Sequence, residues 1–125
     1  MFDDLRATDI FAAAHRLRDV ARRTPLRLSL ALSERANRDV YLKLECAQVT
    51  GSFKLRGAFN TVATLSPNVR AHGIVASSAG NHGLGVAWSA RHFSAPATIF
   101  VPRTAPRVKR DGIAALGATV NDEEP

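Results

Sequence analysis

One segment of the chain passes from a short apolar run through small residues into a helical pattern: Ile74-Val75-Ala76-Ser77-Ser78-Ala79-Gly80-Asn81-His82-Gly83. An apolar run of this length, bounded by turn residues, is typical of a strand that is buried on both faces. The small residues that follow predict a tight turn, and the pattern from Asn81 to His92 predicts a helix. The segment therefore predicts a strand–turn–helix unit of an α/β protein.

The sequence after this segment repeats the same alternation. Thr98–Val101 is a second short apolar run, and Pro102 ends it. Pro106–Leu116 has a helical pattern with proline near its first turn, and Gly117–Val120 begins a third strand. The order β-α-β-α-β implies a parallel sheet with right-handed crossovers. We therefore predict an α/β fold in which residues 69–125 form a small β-α-β-α-β unit.

Residues 1–68 predict a different arrangement, and the composition changes near Asn68–Gly73. One predicted helix has four apolar residues on a single face, namely Leu55, Ala58, Phe59 and Val62. The other predicted elements are a helix from Ile10 with Thr8 as its N-cap, ending at Thr24-Pro25; strands over Leu26–Leu30 and Val40–Leu44; and a turn or short helix over Ser33–Asp39. We place a boundary between an N-terminal segment, residues 1–68, and the unit that follows it.

Composition limits the class of protein. Apolar residues make up 46% of the 125 residues and charged residues 22%, which favours a folded globular protein. Residues 1–5 carry acids where a secretion signal carries bases, and no apolar run reaches membrane-helix length. We therefore expect a cytoplasmic protein without a membrane partner.

The net charge of +6 raises the alternative of a small basic domain that binds nucleotides or nucleic acid. The tightest basic group lacks aromatic residues and is interrupted by prolines; it consists of Arg103, Arg107, Lys109 and Arg110. This favours a solvated helix face and no nucleic-acid partner. The alternative predicts a steep salt dependence of binding to DNA or RNA.

Cysteine and histidine offer little chemistry by themselves. Cys46 is the single cysteine, so neither a disulfide framework nor a cysteine-rich zinc site is expected. We interpret it as a small buried or half-buried hydrophobic residue rather than a nucleophile. His82 is interpreted as a structural hydrogen-bonding residue, with general base or metal ligand as the alternatives. No metal site is expected.

Lys54 follows a glycine and a serine in the run Thr50-Gly51-Ser52-Phe53-Lys54. If Ser52 is an N-cap, Lys54 lies in the first helical turn, near unsatisfied N–H groups and the positive end of the helix dipole. The neutral amine is then relatively favoured, as a lysine that reacts with a carbonyl requires. The alternative is an exposed lysine without a special role.

The turn over Ser77–Gly83 follows the carboxyl end of a predicted parallel strand, which is where ligands of open α/β sheets usually bind. Several backbone N–H groups converge in such a turn and form an anion site, and Asn81 adds a side-chain amide. A carboxylate or phosphate would fit there. The alternative is an ordinary glycine-rich turn with an asparagine cap.

The two motifs together resemble the pyridoxal-phosphate-dependent threonine and serine dehydratases. Glu45–Ala58 resembles the lysine segment of that family, and Ala76–Gly83 resembles the loop that follows it. Val101–Lys109, Leu116–Val120 and Thr24-Pro25-Leu26 are also similar to the family, so the resemblance covers nearly the whole chain. It implies the fold type II architecture, which is tryptophan-synthase-β-like, and pyridoxal 5'-phosphate as the cofactor.

The resemblance also implies roles for individual residues. Lys54 would hold the cofactor covalently and later remove the α-proton of the substrate. Phe53 would pack near the cofactor ring, and Asn81 would donate a hydrogen bond to the phenolic oxygen of that ring. The substrate carboxylate would be held by the backbone of the loop residues Ser78, Ala79, Gly80, Asn81 and His82.

The implied reaction is dehydration and deamination of L-threonine or L-serine to a 2-oxo acid and ammonia. Leu55-Arg56 follows the lysine, whereas cysteine synthases and threonine synthases usually have an acidic residue after it. Ala79 stands where serine racemases carry a serine as their second base. Because alanine cannot exchange a proton, dehydration is favoured over the alternative, racemisation of serine-like amino acids.

One departure from the family bears on activity. The glycine-rich loop that cups the cofactor phosphate, and the residue that faces the pyridine nitrogen, have no match in these 125 residues. We therefore expect a truncated family member with lowered cofactor affinity, because charge-assisted bonds to the phosphate are lost. The alternative is an inactive fragment or remnant, and a homo-oligomer or a partner that supplies the missing half is the expected assembly.

Overall fold

The structure is a computed structural model that describes residues 5–122. Acidic residues 3 and 4, on which the comparison with a secretion signal depends, lie outside the described part. The elements in chain order are α1 (Ala7–Leu17), β1 (Leu26–Leu28), α2 (Leu30–Ala36), β2 (Tyr41–Lys43), a 3₁₀ turn (Glu45–Ala47), α3 (Lys54–Thr64), α4 (Pro67–Ala71), β3 (Ile74–Ser77), α5 (Asn81–His92), β4 (Ala97–Phe100), α6 (Arg107–Ala115) and β5 (Thr119–Asn121).

The predicted parallel sheet is confirmed. Strands β3, β4 and β5 pair in that order, all parallel, with Ile74 opposite Ala97 and Thr98 opposite Thr119. The central strand β4 is the most buried of the three, because it has neighbours on both edges and α5 packs against it. Ile99 at its centre is fully buried. The α/β fold class predicted for this half of the chain is therefore correct.

The N-terminal half differs from the prediction in three places. Helix α1 ends at Leu17, not at Thr24-Pro25. Strands β1 and β2 form an antiparallel pair, but Leu30 begins α2 instead of extending β1, because the Ser29 hydroxyl accepts a hydrogen bond from the Leu32 N–H at 3.4 Å and caps that helix. Thr8 is not the N-cap of α1. The N-cap is Arg6, two residues earlier, and the Asp9 carboxylate accepts from the Arg6 N–H at 2.9 Å.

Helix α3 has the predicted buried face, formed by Leu55, Ala58, Phe59 and Val62. The chain then leaves the helix at Leu65, and Ser66 caps the short helix α4 through a 3.3 Å bond from the Val69 N–H. Within residues 5–122, no helix is long and apolar enough to cross a membrane.

Helix α5 lies between α3 and the parallel sheet, and glycines on two faces allow both contacts. A Cβ atom at Gly83 would lie 2.9 Å from Ile113 Cδ1 and 3.1 Å from Ile99 Cγ2. A Cβ atom at Gly85 would lie 3.3 Å from Ala58 Cβ and from the backbone of Lys54 and Leu55. Because successive helical residues are rotated by about 100°, these two glycines face opposite sides.

The boundary between residues 1–68 and 69–125 stays a prediction. Helix α3 of the first part packs on α5 of the second, and Ala58 joins the same buried cluster as Val86 and Ile99. The lysine-bearing helix is thus held by the β-α-β-α-β unit through a shared core.

Candidate active site

Lys54 is the first residue of α3 and its side chain is exposed. Its Nζ atom lies 4.9 Å from the ring centroid of Phe53, which is itself 59% exposed. Phe53, not Ser52, occupies the N-cap position, although the buried Ser52 hydroxyl still accepts from the Lys54 N–H at 3.4 Å. The N-cap is therefore one residue later than predicted, and Lys54 is still in the first turn of the helix.

Two hydrogen bonds shape the turn after β3. The Ser78 N–H donates to the Phe100 carbonyl at 2.9 Å, which continues the β3–β4 pairing, and the Ser78 hydroxyl accepts from the Gly80 N–H at 3.2 Å. Helix α5 then begins at Asn81 with Gly80 at its N-cap, and among residues 5–122 no side chain caps it. The N–H groups of its first turn point at the mouth of the turn and have no intrahelical acceptor.

The lysine and this turn are brought together by Gly85. That residue lies one helical turn after Asn81, and its Cα meets the Lys54 backbone so closely that an added Cβ would be 3.3 Å from the Lys54 carbonyl carbon. The start of α3 is thereby held one turn from the start of α5. The resemblance implied that the two motifs form one site, and this contact makes the starts of the two helices neighbours.

Asn81 has a partner that the sequence analysis did not identify. Lys109 Nζ donates to Asn81 Oδ1 at 2.6 Å, from the first turn of α6 to the first residue of α5. Since an ammonium can only donate, the amide oxygen is the atom that faces Lys109. The Nδ2 atom is then left as a donor on the other side of the amide.

A polar network lies beneath the loop that leads to Lys54. Arg56 donates to both carboxylate oxygens of Glu45, at 2.8 and 2.9 Å, and the Thr24 hydroxyl donates to Glu45 Oε1 at 2.5 Å. The hydrogen bond from Arg56 lowers the pKa of Glu45 to about 2, although burial acts in the opposite direction. The same ion pair raises the pKa of Arg56.

Gln48 completes this network. Its side chain is buried, its Oε1 accepts from the Arg22 N–H at 2.9 Å, and its Nε2 donates to the Arg22 carbonyl at 3.1 Å. Arg56 Nη2 donates to the same carbonyl at 3.1 Å. The segment before β1 is thus attached to the loop before Lys54. Only the resemblance covered Glu45 and Gln48, and it assigned them no role.

His82 and Cys46, the other two residues considered for chemistry, lie in different environments from Lys54. His82 lines a cavity of about 320 Å³ between α3 and β3, together with Thr61, Leu65 and Val75. Cys46 is exposed, so the prediction that it is buried or half-buried is wrong; it lies in the 3₁₀ turn, whose residues all remain at the surface or partly exposed. Over the described range 5–122, no three His, Cys, Asp or Glu side chains are grouped as metal ligands.

These features define a class of protein: an α/β protein in which a lysine at the start of one helix lies near the turn between a parallel strand and the next helix, at the carboxyl end of the sheet. The description "Pyridoxal-phosphate dependent enzyme" belongs to the family model that matches residues 17–122. The chain belongs to this family. The α/β fold type II architecture and the relation to threonine dehydratases inferred from the motifs are confirmed.

Individual relatives agree with this assignment. The L-threonine ammonia-lyase of Thermotoga maritima is 50% identical over 112 residues, which are 90% of this chain and 28% of that protein. The processed form of threonine deaminase isoform 2 from Solanum lycopersicum superposes with a TM-score of 0.79 at 35% identity, covering 95% of this chain and 34% of the other. Serine racemase from Dictyostelium discoideum gives a TM-score of 0.85 at 35% identity, with 92% and 38% covered. The chain thus spans well under half the length of these proteins.

Proposed function

We propose that this chain carries the lysine-bearing part of a pyridoxal-phosphate-dependent site that eliminates the β-hydroxyl of L-threonine or L-serine, yielding a 2-oxo acid and ammonia. The observation that supports this most directly is the contact of Gly85 with the backbone of Lys54, which sets the lysine beside the Ser78–His82 turn. The similarity to the threonine ammonia-lyase of Thermotoga maritima supports the reaction.

The residues of the site fit the cofactor. Lys54 is exposed and can attach to an aldehyde, and the exposed ring of Phe53 beside it offers a flat apolar surface to an aromatic ring. Asn81 keeps Nδ2 as a donor because Lys109 occupies its oxygen, and a donor is what a phenolic oxygen requires. When bound, pyridoxal phosphate supplies an electron sink for the electron pair of a broken bond at the α-carbon.

Different groups of the chain would then bind the substrate and transfer its protons. The N–H groups of the uncapped turn, from Ser78 to His82, would hold the substrate carboxylate and so fix the direction of the α-hydrogen. The amine of Lys54 would remove the α-proton, and the ammonium so formed would supply the proton with which the β-hydroxyl leaves as water. Hydrolysis of the released enamine then gives the 2-oxo acid and ammonia. Glu45 and Gln48 would act indirectly by holding the loop that carries the lysine.

Racemisation is the second candidate, because serine racemase from Dictyostelium discoideum has a similar fold. A racemase needs an acid–base group on each face of the α-carbon. Ala79 lies in the turn and its methyl group carries no exchangeable proton. We therefore favour elimination, and chiral analysis of the amino acid left after incubation with L-serine separates the two.

An inactive chain is the third candidate. No two consecutive glycines occur in the 125 residues, so no glycine-rich cup for the cofactor phosphate is present in them. A further segment or a second chain that donates N–H groups to the phosphate is the partner that this site would need. The affinity for pyridoxal phosphate is therefore the quantity that decides between an active and an inactive chain.

The test is a near-visible absorbance titration with pyridoxal phosphate, followed by borohydride reduction and mass-spectrometric mapping of the modified lysine. The chain has only three lysines, so Lys54→Ala is the test variant and Lys43→Ala the matched control. We expect a band that persists in the control, disappears in Lys54→Ala, and maps to Lys54. A band that survives in Lys54→Ala would overturn the proposal. A threonine and serine turnover assay of the loaded chain then tests the reaction.

A further inference from the structure

We propose that Lys109 is a positioning residue that sets the orientation of the Asn81 side-chain amide, so that Nδ2 and not Oδ1 faces the ligand. This inference rests on the proposed function, because the ligand in question is the cofactor ring. The contact that carries it is the 2.6 Å hydrogen bond from Lys109 Nζ to Asn81 Oδ1.

The packing of α5 against α6 places the two residues together. Leu84 contacts α6 at Gly112, where an added Cβ would lie 3.0 Å from Leu84 Cδ2, and the neighbouring Gly83 faces Ile113 in the same way. Asn81 lies one turn before Leu84, and Lys109 lies one turn before Gly112. Since residues three or four apart share a helix face, the contact that joins the helices also directs Lys109 toward Asn81.

The two helices also start at the same end of the sheet. Helix α5 follows β3 and helix α6 follows β4, and these strands are parallel. Asn81 and Lys109 are both in first turns, so they meet at the carboxyl edge where the turn after β3 opens. The pair therefore lies at the mouth of the candidate site.

The other cations at the start of α6 already have carboxylate partners. Arg107 pairs with Asp111 at 3.5 Å, and Arg110 pairs with Asp122. These pairs engage Asp111 and Asp122, whereas the ammonium of Lys109 donates to an uncharged amide. An ammonium so placed selects one orientation, because it attracts the oxygen of the amide and disfavours the NH₂ group.

An asparagine amide can face a ligand with either end, and the two ends are of nearly equal size. With its NH₂ group toward the ligand, the amide donates a hydrogen bond to an electron-rich ligand oxygen. With its own oxygen toward the ligand, the amide places two acceptors face to face, and they repel each other. Lys109 removes the second orientation before the ligand arrives. Preorganisation of this kind raises affinity without a direct contact between Lys109 and the ligand.

Three variants isolate this effect. Lys109→Met removes the donor but keeps an unbranched apolar stem, and Lys109→Arg restores a donor that cannot accept. Arg107→Met is the matched control, because it removes one positive charge from the same helical turn while its partner Asp111 is on the surface. Far-UV circular dichroism checks that each variant folds.

The experiment has two readouts on the full chain. In the cofactor-free protein, ¹⁵N-resolved NMR follows the side-chain NH₂ pair of Asn81, which is assigned by its loss in Asn81→Ala. We expect that pair to shift in Lys109→Met, to stay near its original position in Lys109→Arg, and to be unmoved in Arg107→Met. In the second readout, the affinity for pyridoxal phosphate falls about fivefold in Lys109→Met and recovers in Lys109→Arg.

An unchanged Asn81 pair in Lys109→Met, or an equal loss of affinity in Arg107→Met, would overturn the inference. The proposed function fails in a different way, namely if the unaltered chain shows no Lys54-dependent absorbance band. In that case the cofactor-directed role of Lys109 falls with it, whereas the NMR readout still decides whether Lys109 holds the amide.

Discussion

The guanidinium of Arg56 donates two hydrogen bonds to the carboxylate of Glu45, from Nη2 to Oε1 at 2.8 Å and from Nε to Oε2 at 2.9 Å. Arg56 belongs to the first turn of α3, two residues after Lys54, and Glu45 begins the 3₁₀ turn before the lysine loop. The pair therefore closes the loop of residues 46–55 at its base. A two-bond geometry of this kind fixes orientation as well as distance.

The first prediction concerns the pH dependence of this pair. The pKa of Glu45 is lowered to about 2 in the folded chain from 4.5, so its stabilising contribution is present above pH 4.5 and is lost as the pH falls toward 2. We expect Glu45→Gln to lower the free energy of unfolding at pH 7 by about 2 kcal/mol, below the full value of the shift because Arg56 is partly exposed and screened by solvent. Urea unfolding at a series of pH values measures it.

The diagnostic quantity is the difference in unfolding free energy between the unaltered chain and Glu45→Gln. It should shrink steadily as the pH falls from about 5 to about 2. Glu34→Gln is the control, because Glu34 is an exposed acid on α2. A difference that stays constant over this range would show that Glu45 does not act through its ionised carboxylate.

The second prediction concerns the buried amide of Gln48. Gln48→Ala leaves the Arg22 N–H without its side-chain acceptor and leaves the Arg22 carbonyl with Arg56 Nη2 as its side-chain donor. We expect a loss of about 2 kcal/mol in unfolding free energy. Thr64→Ala removes one exposed hydrogen bond, from the Thr64 hydroxyl to the Thr61 carbonyl, and should cost less than about 0.5 kcal/mol. Equal losses of unfolding free energy in the two variants would mean that the buried Gln48 hydrogen bonds stabilise the fold no more than one exposed hydrogen bond does.

The third prediction tests the close approach of α5 and α3. In Gly85→Ala the new methyl group meets the Lys54 and Leu55 backbone at 3.3 Å, and backbone atoms in a packed helix cannot move aside freely. We expect a net loss of about 1 kcal/mol after the gain in helix propensity is included. In Gly57→Ala the new methyl group would meet no atom of residues 5–122 within 4 Å beyond its own helix backbone and chain neighbours, and the variant should instead raise stability by up to about 1 kcal/mol.

Chemical denaturation of these two glycine variants gives their relative stability, and the absorbance titration gives the effect on cofactor binding. Gly85→Ala should weaken the Lys54-dependent band, because α3 is pushed away from the turn. If Gly85→Ala is as stable as Gly57→Ala and binds equally well, the contact does not position the lysine.

The fourth prediction separates the two ends of the Asn81 amide. Asn81→Asp replaces the Nδ2 donor with a second acceptor, and the new carboxylate can pair with the Lys109 ammonium. We expect thermal stability to stay the same or rise while the affinity for pyridoxal phosphate falls about tenfold. A variant that keeps its affinity would show that Asn81 does not donate to the cofactor.

Much of the fold follows from local patterns. The helix over Asn81–His92 begins and ends where the sequence predicts, because a small-residue turn precedes it and its apolar residues recur at helical spacing. The buried face of α3 was predicted residue by residue for the same reason. Element ends were less predictable. Leu30 alternates correctly for a strand, yet the Ser29 cap places it in a helix.

By itself, the sequence determined the class of fold, the family and the residues worth testing, since apolar periodicity, turn chemistry and the two motifs all act over a few neighbouring positions. The tertiary structure alone decided which of those residues meet. The contacts of Gly85 with Lys54, of Arg56 with Glu45 and of Lys109 with Asn81 join residues from different elements. The apolar periodicity of the sequence does not predict such pairs. Each pair depends on how two helices, or a loop and a helix, pack once the shared core has formed.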